Sequence, residues 1–218
     1  MNWTVQKPEQ QAKERNPVPV EYWKTVRWPE IKNAVRQRAW IFFQDETGFT
    51  QRPSVRRTGA PRGQTPILRS RGDQGTQSSV AAALGFRWDG PKTRLFARTK
   101  PDSFHPESLL AFLKDRKRFV KGVRVILLWD HRPAHRSTVM RRFLFEQPNW
   151  LPMEWLPGYA PDLNPTEGVW NNSKGREWPN FCADQREEAT HAFRPGLRRV
   201  AHTVCLPLSF LRHAGLFF

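Results

Sequence analysis

Three carboxylates in this sequence stand where they could do chemistry. Asp45 follows the apolar run Ala39-Trp-Ile-Phe-Phe-Gln44, and Asp130 follows Val123-Arg-Val-Ile-Leu-Leu-Trp129. Glu167 closes the stretch Tyr159-Ala-Pro-Asp-Leu-Asn-Pro-Thr-Glu167. Both apolar runs read as buried strands, so each aspartate sits at a strand end. Asn164 suits an N-cap and Pro165 the first helical position, where a missing N–H costs nothing; Glu167 then lies in a first helical turn. Acids gathered at one place repel each other and are stable as anions only around cations. Hard oxygen donors select Mg²⁺ or Mn²⁺ rather than zinc. Two such ions suit in-line phosphoryl transfer, activating the attacking oxygen and stabilising the leaving one. Each acid also has a local reading. Asn164-x-x-Glu167 is a capping-box pattern, and Asp45 is an acid at a strand end. Strand neighbours point to opposite faces, so Asp45 shares a face with Ile41 and Phe43 while Glu46 points away.

The elements that must carry these acids follow from patterning. Residues 39–44 form a strand that ends at Asp45-Glu46 and turns at Thr47-Gly48. Residues 79–84 and 93–97 are two more strands, with Trp88-Asp89-Gly90-Pro91 as the turn between them, and the three make an antiparallel meander. Pro106-Glu107 opens a helix with Leu109, Leu110, Phe112, Leu113 and Val120 as its apolar stripe; Lys114, Arg116, Lys117, Arg118 and Lys121 cover the rest as a solvated face. The strand at 123–129 follows a helix, which implies a parallel partner. Sites in open α/β sheets lie at the carboxyl ends of such strands. A helix with Val139, Met140, Phe143 and Leu144 inward comes next, then a strand at 153–156 and the helix carrying Glu167. A last helix opens with the capping pair Asp184 and Glu187 and breaks at Pro195-Gly196.

Charge points to the partner. The 218 residues hold 36 Lys and Arg against 20 Asp and Glu, a net charge of +16, which suits a polyanion and most simply nucleic acid. Arg52, Arg56, Arg57, Arg62, Arg69 and Arg71 crowd one stretch rich in Pro and Gly, either a phosphate-holding segment or a solvated hairpin. Lys174 shares the helical face of Glu167 and is either a phosphate contact or a solvated lysine. His135, five residues after Asp130, orients that acid, meets substrate or closes a turn. A hydrophobic fraction of 38% with 15 Phe and 10 Trp predicts a packed core. Cys182 and Cys205 have neither zinc-site nor disulfide-framework spacing, which suits a reduced cytoplasm. The apolar runs are too short to span a membrane, and the N-terminus has no signal core. Residues 1–36 read as an arm or linker with a helix bearing Tyr22, Trp23, Val26, Ile31, Ala34 and Val35. Residues 37–218 read as the catalytic domain.

The runs Gln44-Asp-Glu-Thr-Gly-Phe49, Trp129-Asp-His-Arg-Pro-Ala-His135 and Tyr159 to Glu167 resemble the three motifs of DDE transposases. They are most similar to the bacterial insertion-sequence branch of the Tc/mariner superfamily, as is the segment at 52–63. The similarity runs from about Trp3 to the C-terminus, and the third motif is the most specific. It implies an α/β fold, a ribonuclease H-like mixed five-stranded sheet flanked by helices. It implies Asp45, Asp130 and Glu167 as the catalytic, metal-binding trio with two Mg²⁺ or Mn²⁺ ions, and His135 as the family's histidine. Many relatives carry Asn after the second acid, where this chain has His131. The implied activity is strand cleavage at transposon ends and transfer of the freed 3′-hydroxyl to target DNA, at TA sites. The implied assembly is a homodimer on DNA, nucleoid-associated in a bacterial cytoplasm. A helix-turn-helix region precedes the catalytic part in the family; the residues before 37 are too few for one, so either a separately encoded helix-turn-helix domain supplies it or the chain is a remnant. Two alternatives remain: a stand-alone metal-dependent nuclease, and a catalytically inactive, domesticated transposase acting as a DNA-binding or regulatory protein.

Overall fold

The computed structural model describes residues 12–35, 39–51, 54–69, 77–87, 90–120 and 123–217. Strands β1 (Trp40–Phe49), β2 (Ser78–Arg87), β3 (Thr93–Pro101), β4 (Val125–Trp129) and β5 (Met153–Trp155) form one sheet in the order β3-β2-β1-β4-β5. The first three are an antiparallel meander, β4 runs parallel to β1, and β5 runs parallel to β4. This is the expected mixed five-stranded sheet.

Strand alternation sorts the core into two layers. Ile41, Phe43, Val80, Ala82, Leu84, Ile126 and Leu128 face one side. Phe42, Ala81, Ala83, Leu127 and Trp129 face the other, covered by α3 (Pro106–Phe119) and α4 (Thr138–Phe145) through Leu109, Phe112, Leu113, Met140 and Phe143. The first side is covered by α1 (Pro17–Tyr22), a π-helical turn (Trp23–Arg27), α2 (Trp28–Val35), α5 (Thr166–Arg176), α6 (Arg186–His202) and α7 (Cys205–His213). No helix among the described residues is long and apolar enough to cross a membrane.

The N-terminal helices are tied into this layer. Val20, Trp23, Trp28 and Ile31 are buried in the same cluster as Phe43. Trp28 Nε1 donates to the Phe217 carbonyl (3.2 Å), Arg27 pairs with Glu154 (2.7 Å), and Arg15 pairs with Asp162 in the loop before α5. The proposed boundary after residue 36, and the side chains of Ala34 and Val35, lie outside the described residues.

Along the chain the structure departs from local patterning at β1, at α6 and at Asp184. Strand β1 does not turn at Thr47-Gly48 but pairs with β2 as far as Phe49↔Ser78, because Phe49 packs on Phe193 and Trp178 (ring centroids 4.9 and 5.3 Å). Asp45 therefore lies within the strand, not at its end. Helix α6 runs straight through Pro195-Gly196. A proline inside a helix costs about 3 kcal/mol, but Ala189, Phe193, Gly196 and Val200 bury one continuous stripe against the core. A Cβ at position 196 would sit 2.5 Å from Ser173 Oγ, so glycine lets α6 approach α5. Finally, the Asp184 N–H is taken by Glu188 (2.9 Å) rather than Glu187. Trp88 and Asp89 of the expected turn lie outside the described residues.

Candidate active site

Asp45, Asp130 and Glu167 line one cavity of about 560 Å³, together with His131, Arg132, Arg136, Tyr159 and Asn164. Each acid arrives on a different element. Asp45 projects from the middle of β1 toward α5, where Trp170 Nε1 donates to its Oδ2 (2.9 Å); its Oδ1 accepts from the Glu46 N–H (2.8 Å). Asp130 follows the last residue of β4. Glu167 stands in the first turn of α5, and that turn is fastened to β1 because the Thr166 hydroxyl donates to the Phe43 carbonyl (2.9 Å). Asn164 Oδ1 caps the Thr166 N–H (3.1 Å), while the Asn164 N–H goes to the Pro161 carbonyl (2.9 Å). Helix α5 begins one residue later than the sequence predicts, with Pro165 rather than Asn164 at the N-cap, so there is no cap N–H for Glu167 to accept from, and its carboxylate faces the cavity. Gly168 allows this tight seating: a Cβ there would meet the Phe210 ring of α7 at 2.4 Å.

The electrostatics follow from burial and crowding. Burial pushes the Asp45 carboxyl up to about 7; the charge of Glu167 adds to this and the Trp170 N–H opposes it. Burial also raises Glu167, with Lys174 and Arg132 opposing and Asp130 reinforcing. At Asp130 burial is outweighed: the hydrogen bond and charge of His135, helped by Arg132, hold the carboxyl below its ordinary value. Lys174 is half-buried and donates to the Thr47 hydroxyl (2.7 Å). Burial lowers its pKa while Glu167 and Asp45 hold it up, so it sits among the acids rather than in bulk solvent.

His135 lies at the back of the site. Its ring is 1% exposed and stacks on Trp129 (centroids 3.7 Å apart). Nδ1 contacts Asp130 Oδ1 at 2.6 Å, and Nε2 contacts Glu46 Oε2 at 2.7 Å. Burial lowers its pKa, but the hydrogen bonds to the two acids outweigh that and lift it to about 9. Its position fits two of the sequence readings: the ring contacts Asp130, and the backbone N–H closes a turn by donating to the Arg132 carbonyl (3.0 Å).

The donor set suits a hard divalent cation. All three acids offer carboxylate oxygen, and the burial that raises Asp45 and Glu167, to which neighbouring acids add, is what a bound cation offsets. As the side chains stand, no three His, Cys, Asp or Glu groups among the described residues form a ready cage. Trp170 is bonded to Asp45, and His135 and Arg132 to Asp130, and each carboxylate oxygen keeps a further lone pair.

The basic stretch has a different character. Every residue from 54 to 69 is exposed, Arg56, Arg57, Arg62 and Arg69 included. It forms no strand beyond one bridge between Ser54 and Pro179, where Asn180 brackets Arg56 with two hydrogen bonds (2.8 and 3.0 Å). Arg52 and Arg71 lie outside the described residues.

Patterning places Trp170 in the core, where the structure has it, but gives no site role to Trp170, Arg132, Arg136, Tyr159 or Arg116. Arg116 is 4% exposed, with its guanidinium over the rings of Phe42 and Phe112 (5.7 and 5.0 Å). Burial lowers its pKa to about 9, while Glu46 opposes the shift. It is not part of a solvated face. The signal was present, since Leu109, Phe112, Leu113 and Arg116 share one helical stripe.

The family of DDE superfamily endonucleases matches residues 40–187, and the chain belongs to it. The match spans all three acids. The structure is similar to the Mos1 strand transfer complex (TM-score 0.59, 16% identity, 100% of this chain and 68% of that one). It is equally similar to the Mos1 mariner paired end complex with Mn (TM-score 0.59, 18% identity, 99% and 67%). A simian T-cell lymphotropic virus intasome structure also matches (TM-score 0.50, 12% identity, 75% and 48%). These likenesses make the fold ribonuclease H-like. A search of curated proteins gives no significant match.

Proposed function

We propose that this chain is the catalytic domain of an insertion-sequence transposase, cleaving DNA at transposon ends and joining the freed 3′-hydroxyl to target DNA. The observation that carries the reading is the meeting of Asp45, Asp130 and Glu167 at one open cavity of a DDE endonuclease fold. The solved relatives are described as strand transfer and paired end complexes, one of them with Mn and another with Mg, which supports DNA and a divalent ion as partners here. The three acids would hold the ions, and two Mg²⁺ or Mn²⁺ would supply Lewis acidity at the attacking and leaving oxygens.

The chain's own groups have definite tasks in this reading. Trp170 fixes one oxygen of Asp45, and His135 fixes one of Asp130. Arg132 and Arg136 line the cavity and offer bidentate donors to a phosphate at its mouth. Lys174 balances the negative charge at the back. Arg56, Arg57 and Arg62, with Arg52, would follow the DNA backbone. The full assembly would be a homodimer bridging two transposon ends in a nucleoid-associated, cytoplasmic setting. A separately encoded helix-turn-helix domain would recognise the transposon ends, with the helices of residues 17–35 staying packed on the catalytic core.

Strand cleavage and joining on element-end DNA with Mg²⁺ or Mn²⁺ tests this, with wild type beside Glu167→Gln. Both products are expected from wild type and neither from the variant. Equal activity in both would return Glu167 to a structural role. Cleavage without joining would favour a stand-alone nuclease, and silence of both proteins even with the helix-turn-helix half added would favour an inactive DNA-binding protein.

A further inference from the structure

The geometry points to Glu46 as a positioning residue for Asp130, acting through the buried His135 ring that the two carboxylates hold from opposite nitrogens. This rests on the reading of Asp130 as a metal ligand. Strand alternation turns Asp45 toward α5 and Glu46 toward the α3 and α4 layer, so the adjacent acids cannot share one task. Glu46 is 8% exposed in the middle of β1, and a carboxylate there is costly unless paired. Its close partner is His135 Nε2 at 2.7 Å; Gln44 Nε2 is farther, at 3.4 Å. Arg116 adds a buried positive charge within electrostatic reach of Glu46.

The other end of the ring reaches the cavity. His135 Nδ1 lies 2.6 Å from Asp130 Oδ1. Trp129 covers one face of the imidazole, and contacts at both nitrogens prevent it from turning without breaking both. Asp130 itself is more than a third exposed. Its remaining ties are the Arg132 N–H at 3.2 Å and Arg132 Nε at 3.3 Å, from a residue that is itself exposed. The rigid hold on Asp130 therefore comes from inside the protein, along Glu46, His135 and Asp130. Buried partners of this kind set the orientation of a ligating side chain, and losing one typically weakens metal affinity by about 10–100-fold.

Mn²⁺ binding by the full chain, read from the electron paramagnetic resonance of free ion, tests the inference without any turnover. Wild type, Asp130→Asn, Glu46→Gln, His135→Gln and the Glu46→Gln/His135→Gln double variant are compared, with thermal melting as the check on folding. The expected result is affinity about 10–100-fold weaker in Glu46→Gln. The double variant should be no weaker than His135→Gln alone, because residues acting through one another are not additive. A merely structural role would lower the melting temperature and leave Mn²⁺ affinity unmoved. Unchanged affinity in folded Glu46→Gln, or additive losses in the double variant, would overturn the inference. Should Glu46→Gln not fold, Glu46→Asp keeps the charge but withdraws it by one methylene; a smaller loss of affinity is expected, and none would overturn the inference. Affinity in Asp130→Asn equal to wild type would instead remove the metal reading itself, a failure distinct from that of Glu46 alone.

Discussion

The acidic cavity and the basic stretch at 54–69 use charge in opposite ways. In the cavity the acids arrive on, or just after, strands and helices, and several charges are shared: Asp45 with Trp170, Asp130 with His135 and Arg132, Lys174 with Thr47. Low solvent access makes each group's state depend on its neighbours. In the basic stretch every residue is exposed, and the described anchors are Ser54 and the Asn180 bracket on Arg56. Charges in water are screened and act nearly independently. The contrast teaches that a net charge of +16 and a cluster of acids coexist because they occupy different dielectric settings.

That contrast can be broken most directly at the acids. Asp45→Asn, Asp130→Asn and Glu167→Gln should each lower strand cleavage on the order of 10³-fold or more, since members of one catalytic unit are not replaceable singly. Single-turnover cleavage measures this; a loss under about tenfold would erase the difference between the regions. The basic stretch should respond gradually. With about six phosphates neutralised, log K for DNA should fall with a slope near −5 in log salt. Each of Arg56→Ala, Arg57→Ala and Arg62→Ala should reduce that slope by about one, with little dependence on DNA sequence. A slope near zero in the wild type would remove the polyanion reading.

A smaller effect sharpens the account of burial. Asp45 has a folded pKa of about 7, above the ordinary carboxylate value. Such an acid favours folding below its unfolded pKa and loses that contribution as pH rises through the folded one. Wild type should therefore lose stability between about pH 4 and pH 7 relative to Asp45→Asn, so the variant's advantage in melting temperature should be larger at pH 8 than at pH 4. Mg²⁺ or Mn²⁺ should raise the melting temperature of wild type more than that of the variant. An advantage that shrinks as pH rises would contradict the burial of Asp45. The smallest effect is expected at Asn180, which holds a left-handed φ of 59° and brackets Arg56. Asn180→Ala should cost about 1 kcal/mol of stability and weaken DNA binding only slightly, as read by chemical melting and a binding titration.

Much of the fold was legible because it rests on local periodicity. The apolar run through 39–44 announced a buried strand, on which Phe43 and Asp45 must share a face, and the meander followed by helix and strand announced the mixed sheet. The reach of β1 to Phe49 was not legible, since it depends on Phe193 and Trp178 from distant helices. Nor was the passage of α6 through Pro195, where collective burial outweighs a local penalty. Arg116 was misread because composition makes a run of cations look solvated, whereas its helical phase turns it inward.

By itself the sequence determined which acids could act, which face of β1 each occupies and how basic the surface is. Those properties depend on residue type and on a period of two or 3.6. Only the tertiary structure decided that Trp170 holds Asp45, that Glu46 reaches Asp130 through His135, and that the Glu167 carboxylate faces the cavity rather than its own cap. Hydrogen bonds between residues far apart in the chain are chosen by packing, and buried polar groups take whichever partner the packed core brings within reach.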